Sequence, residues 1–290
     1  MGHEGLHFPQ KWKISWLFYL LRIMEGGYVL ISDARKQVRN SLCILCTAVP
    51  SLLFLFSSSA FAARPLTTDD TWTIEKGKFQ LETGFNFTRQ DSHDREIGPS
   101  LTVSYGLLER MDVGIGSVYL FVRPKEGENE NGFGDTALKL KYRLLDERNW
   151  MPAFAVTGNL KIPTASESKR LGSGKTDFGI NTIVTKNLSK RWIFHLNMGY
   201  TFMGEHGVNN EFNYSVAAEF ILSDKWALVG EIVGVNNFNG RNRDDSISGL
   251  LGAYYHISDS VVWDLAVEIG VNKAAPDFRL TTGLTLLFKP

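Results

Sequence analysis

Cysteine is nearly absent from this 290-residue chain, and where it occurs it is early. Cys43 and Cys46 both precede position 62, so residues 63–290 can hold neither a disulfide nor a thiolate metal site. Long apolar runs are missing after Ala62 as well, which excludes a helical membrane span from that part of the chain. Net charge is also missing. The 31 basic residues balance 31 acidic ones, and with a slight acidic excess after position 62 there is no electrostatic case for a nucleic-acid partner.

What is present begins with a leader. Arg35, Lys36 and Arg39 precede an apolar run from Leu42 to Phe56, and Ala60-Phe61-Ala62 places small residues where a signal peptidase reads. Residues 35–62 are therefore expected to be a cleavable signal peptide cut after Ala62. Cys46 is followed by Thr47 and lacks the small residues of a lipid-attachment site. Residues 1–34 read as a leader extension from a misassigned start, with Met24 as the candidate start. Their apolar tract is interrupted by Arg22, against a spanning helix. Residues 63–290 are enough for one barrel and too few for a barrel plus a substantial second domain.

After the leader, apolar and polar residues alternate in segments of about ten, the pattern of a transmembrane antiparallel β-barrel. Phe79, Leu81, Phe85 and Phe87 share one parity, with Gln80, Glu82 and Asn86 on the other. Leu138, Leu140, Tyr142 and Leu144 oppose Lys139, Lys141 and Arg143 in the same way. Trp192, Phe194, Leu196 and Tyr200 oppose His195 and Asn197, and Trp263, Leu265, Val267 and Ile269 oppose Asp264 and Glu268. Counting through to Phe288 gives about twelve strands, an even number with both ends periplasmic. The segment 226–235 is apolar on both parities apart from Glu231, so its phase is the least defined. Connections at 107–110, 146–150, 188–191, 223–225 and 258–260 are short. Most of the others, 89–98, 122–133, 163–175, 204–211 and 236–245, are long and polar. Short turns on one side and long loops on the other predict which end faces the periplasm. Trp192, Trp226 and Trp263 each follow a short turn, and Tyr105, Tyr142 and Tyr255 each precede one, as an interfacial girdle requires.

The stretch Arg64-Pro65-Leu66-Thr67-Thr68-Asp69-Asp70 resembles a known family, and further tracts extend the likeness. These are Gly132-Phe133-Gly134-Asp135, Lys141-Tyr142-Arg143-Leu144, Leu171 to Asp177 and Gly199-Tyr200-Thr201-Phe202. Together they resemble the outer-membrane β-barrel family labelled MetA-pathway of phenol degradation, over nearly all of 63–290. The resemblance implies a bacterial outer-membrane location and a transporter role, with aromatic or other organic solutes suggested by the label alone. It implies no catalytic residues. The chain departs from outer-membrane barrels generally in ending Lys289-Pro290 after Phe288, where an aromatic terminus is what the assembly machinery reads.

The residues themselves offer little chemistry of other kinds. Gly174-Lys175-Thr176 lacks the earlier glycine of a phosphate loop, since position 169 is Lys169. His256 and Ser258 have the spacing of a lipid-face hydrolase pair, but Ser258 opens a tight turn. His195 reads as a lone inward residue, and His93 and His206 fall in separate loops, so neither a metal nor a cofactor is expected. The inward charges are the candidates for a pore. Lys139, Lys141, Arg143 and Lys161 cluster on one arc, while Glu219, Glu231, Asp264 and Glu268 form another, with Arg279 on the last strand. Twelve tilted strands would make a wall about 24 Å across and a lumen of about 12 Å. Two readings stand. Opposed arcs could set a transverse field across an open channel for small solutes. The same side chains could instead meet in salt bridges and close the lumen, leaving a structural or surface-binding barrel. An outer-membrane hydrolase is the weaker third. The expected partners are outer-membrane lipid, the assembly machinery and an unidentified small solute.

Overall fold

The computed structural model describes residues 64–90, 94–238 and 245–288. The leader extension 1–34, the segment 35–62 with Ala60 and Ala62, and His93 lie outside the described residues. The alternating segments form β1 (Phe79–Gln90), β2 (Asp94–Leu108), β3 (Met111–Arg123), β4 (Glu130–Phe133), β5 (Thr136–Leu145), β6 (Ala153–Ile162) and β7 (Asp177–Asn187). They continue as β8 (Trp192–Phe202), β9 (Glu211–Ile221), β10 (Trp226–Asn236), β11 (Ser246–Ser258), β12 (Val261–Gly270) and β13 (Phe278–Phe288). β4 and β5 both pair with β3, at Tyr119–Val122 and at Met111–Gly116, so they are two stretches of one wall strand broken at Gly134-Asp135. The wall therefore has twelve strands, each antiparallel to its chain neighbour. β1 pairs with β13 from Phe79↔Phe288 to Arg89↔Phe278, which closes the cylinder and leaves no open edge.

Closure sorts the two parities. Outside lie Leu251, Ile269, Ile232 and Ile115, with Leu251 76% exposed. A continuous apolar exterior of this kind is unfavourable in water and favourable in hydrocarbon. Rings pair across neighbouring strands beside the short turns. Trp226 packs on Tyr255, Trp192 on Phe220 and Phe79 on Tyr105, each pair with centroids 4.6 Å apart. At the opposite rim Phe178 stacks on Phe202 at 6.4 Å and Tyr119 meets Phe133 at 5.1 Å. The turns are built from serine. Ser189 and Ser223 hydroxyls accept the N–H of Trp192 and Trp226, at 3.1 and 3.2 Å, fixing the belt tryptophans at the strand starts.

Two of the expected loops are shorter than the pattern suggested. β1 and β2 stay paired out to Gln90↔Asp94, leaving only 91–93 between them, and β3 runs to Arg123 with β4 beside it. The outer ends of these strands stand clear of lipid, with pairs such as Thr88↔Glu96 and Arg89↔Arg95. Without an apolar side to alternate, the period-two signal stops before the hydrogen bonding does. β10 is resolved too: Ala227, Val229 and Glu231 are buried inside while Trp226, Leu228 and Ile232 face out.

Candidate functional site

The lumen is occupied by the chain's own beginning. Arg64 to Lys78 crosses the interior before β1 starts, and Thr68, Asp69, Asp70 and Thr71 are all buried there. Through Asp70 this segment has no alternating pattern, and Trp72 and Ile74 beyond it are too short an apolar run to make a lipid-facing strand. Its polar backbone has to find partners inside the cylinder. Glu231 on β10 takes the first two N–H groups. The Thr67 N–H donates to Oε1 at 2.8 Å, and the Thr68 N–H and hydroxyl donate to Oε2 at 2.8 and 2.7 Å. The Asp69 N–H donates to Asn197 Oδ1 at 2.9 Å, and Asn197 Nδ2 returns a bond to the Asp69 carbonyl at 2.8 Å. Thr71 N–H donates to Thr185 Oγ1 and Ile74 N–H to Asp112 Oδ2, both at 3.1 Å. Leu66 belongs to a small apolar cluster inside the barrel that includes Ala227, Val229, Leu250 and Tyr254.

The charge order of this plug matches the wall. Its basic end, Arg64, pairs with the fully buried Asp264 at 3.5 Å and donates to Thr281 Oγ1 at 2.7 Å. Its acidic end meets the basic arc on β5. Lys141 Nζ lies 3.0 Å from Asp69 Oδ1 and 3.2 Å from Asp70 Oδ1, and Lys139 pairs with Asp69 Oδ2. Burial works against the charge on Asp69, but the Lys139 and Lys141 ammoniums beside it hold its carboxyl well below the usual carboxylate range. The transverse field expected between two arcs is thus bridged by a segment that is positive toward the acidic wall and negative toward the basic one. Gly84 and Gly283, cross-strand partners on β1 and β13, make the seat for Arg64, because a Cβ on either would run into its guanidinium.

The other pore candidates are placed as follows. Arg143 pairs with Asp146 at 3.3 Å, at the end of the barrel where the short turns lie. Lys161 is held by Asp177 at 2.5 Å, by Asp135 at 3.7 Å and by Ser173 of the loop 163–176 at 2.6 Å. Glu268 pairs with Arg279, whose Nη2 also reaches the Thr67 hydroxyl at 3.4 Å. His195 is not alone. Its Nδ1 lies 2.9 Å from Thr185 Oγ1 and its Nε2 3.1 Å from Glu219 Oε1. The order hydroxyl–imidazole–carboxylate is that of a hydrolase, but Thr185 and His195 are 1% and 2% exposed, and the hydroxyl already receives the Thr71 N–H. They form a seat for the plug. The Ser258 hydroxyl accepts the Ser260 N–H at 3.3 Å, a turn role. Reading the sequence located the wall charges and missed their main partner. Arg64 to Asp70 carried a family likeness but no periodicity to place it.

The plug leaves space on one side. A cavity of about 450 Å³ lies between it and the wall of β1, β2, β3 and β5, lined by Trp72, Ile74, Gln80, Glu82, Ser104 and Lys139 among others. Its wall is hollowed by small residues, with Gly114 and Gly116 of β3 and Ala137 of β5 on its surface.

The fold is shared with known channels. An outer membrane channel from Pseudomonas putida F1 superposes with a TM-score of 0.60 at 14% identity, covering 77% of this chain and all of that one. The KdgM porin superposes at 0.50 with 11% identity, covering 71% of this chain and 99% of its own. No curated protein matches in sequence. Residues 62–288 match the family described as "Putative MetA-pathway of phenol degradation", and the chain belongs to that family of outer-membrane β-barrels.

Proposed function

We propose that the protein is a passive outer-membrane channel for small solutes, in which the segment Arg64–Lys78 sets the width of the path. The observation that carries this is the cavity of about 450 Å³ left beside the plug, inside a closed cylinder whose exterior is apolar. A barrel built only as a scaffold gains nothing from keeping a polar void beside a fitted plug. The relatives with this fold are named as a channel and a porin, and the family's description points to an organic solute. On this reading residues 63–290 are the mature barrel. The leader 35–62, preceded by 1–34, is removed after Ala62. Lipid covers the exterior, the assembly machinery inserts the chain, and the solute crosses without covalent chemistry.

Conductance of refolded 63–290 in a planar bilayer tests the proposal. A small ohmic current is expected, growing several-fold when residues 64–74 are deleted. The rival reading, a sealed barrel with a structural or binding role, rests on the same plug and expects silence from the intact protein. A bilayer silent with both proteins sinks the channel.

A further inference from the structure

The plug satisfies nearly every charge at its depth, and the exceptions lie together. Glu219 has His195, Glu231 has three donors from Thr67 and Thr68, Asp264 has Arg64, and Glu268 has Arg279. Lys139 and Lys141 are committed to Asp69 and Asp70. Two wall carboxylates remain. Asp112 accepts a single backbone N–H, from Ile74, and Glu82 has no hydrogen bond or ion pair among the described residues, with its Oε1 shut off from solvent. Both line the same cavity.

Resting on the channel reading, we propose that this cavity is a binding station for small organic cations bearing an ammonium group. Lys139 and Lys141 line the cavity too, but Asp69 and Asp70 take up their charge, so Glu82 and Asp112 leave this confined site negative, which favours a cation and disfavours an anion. Thr102 and Ser104 hydroxyls and the Gln80 and Asn159 amides on the same wall supply acceptors for the remaining ammonium protons. Trp72 and Ile74 form the plug's side of the cavity, an apolar and aromatic surface against which the organic part of the solute packs. The volume suits a small organic molecule and is large for a bare ion. Among the described residues no three His, Cys, Asp or Glu side chains converge as a metal shell would need. The station lies beside the plug inside the closed wall, so a solute crossing on the side of β1, β2, β3 and β5 would pass it.

Calorimetric titration of the detergent-solubilised barrel with benzylammonium, benzyl alcohol and benzoate tests this. Wild type is expected to bind benzylammonium about tenfold or more tightly than the neutral and anionic probes. Glu82→Gln and Asp112→Asn should each reduce ammonium affinity about five- to tenfold, and the pair should erase the preference. Ala137→Phe fills the cavity without touching a charge and should weaken ammonium binding to a similar degree. Heat-modifiable gel migration confirms that each variant is folded. Equal binding of the three probes, no binding of benzylammonium by wild type, or full binding by folded Ala137→Phe would each overturn the proposal. A bilayer silent with and without residues 64–74, alongside intact ammonium binding, overturns the channel and keeps the site. A conducting barrel with no ammonium preference does the reverse.

Discussion

At the residue scale, the contacts that matter most are between charges and backbone amides inside the lumen. Charge-assisted hydrogen bonds are worth about 1.5–3 kcal/mol each, more than the neutral bonds around them. Glu231→Gln keeps the shape and loses the charge under the N–H groups of Thr67 and Thr68. Channel current should rise several-fold as the plug loosens, measured per open channel; an unchanged current would remove this contact from gating. Asp69 gives a pH test with a definite sign. Its folded carboxyl titrates below the ordinary value of 3.8, held down by Lys139 and Lys141 against the opposing effect of burial. A depressed carboxyl contributes its stability above the unfolded pKa and loses it as pH falls through the folded one. The latch is therefore complete at neutral pH and through mild acid, and it weakens only well below pH 3.8. Current should stay level from neutral pH to about pH 5 and increase only in strong acid. A rise already at mild acidity would contradict the Asp69 pairing.

At the scale of elements, the plug and the β1–β13 seam depend on each other. The glycine pair Gly84 and Gly283 stands where the Arg64 guanidinium lies over the β1–β13 seam. Gly84→Ala should unseat the guanidinium while leaving both strands paired, since alanine costs a strand little. The expected result is a wider, noisier pore with normal heat-modifiable migration. A variant that conducts like wild type would show that Arg64 has room to spare. The wall strands themselves were legible because lipid on one side and water or plug on the other impose strict alternation. The outer hairpin β1–β2 was read as a longer loop because that constraint ends at the membrane surface.

For the whole molecule, the controlling quantity is the apolar exterior. Leu251 sits in the middle of β11 and is the most exposed of the large apolar residues on the strands. Leu251→Arg would place a charge in hydrocarbon, costing about 2–4 kcal/mol near the bilayer midplane. In a water-facing site the same change is worth within about 0.5 kcal/mol. Denaturant unfolding from liposomes measures it. A change inside the smaller range would mean that this face is not in lipid.

By itself the sequence determined the strand count, the inside-outside parity of every strand but 226–235, the short turns gathered at one end and the aromatic belts. Each follows from a period of two repeated against a fixed solvent boundary. The wall residues Lys139, Lys141, Glu231 and Asp264 could be placed on the inner face by the same rule. What they face could not. Arg64 and its partner Asp264 are far apart in the chain, and only barrel closure decides which walls oppose each other and how wide a gap they leave. The polar segment Arg64–Asp70 has no periodicity of its own, so its place inside, the Thr185–His195–Glu219 seat and the cavity beside Glu82 were decided by tertiary structure. A buried backbone must find donors and acceptors wherever the closed wall presents them.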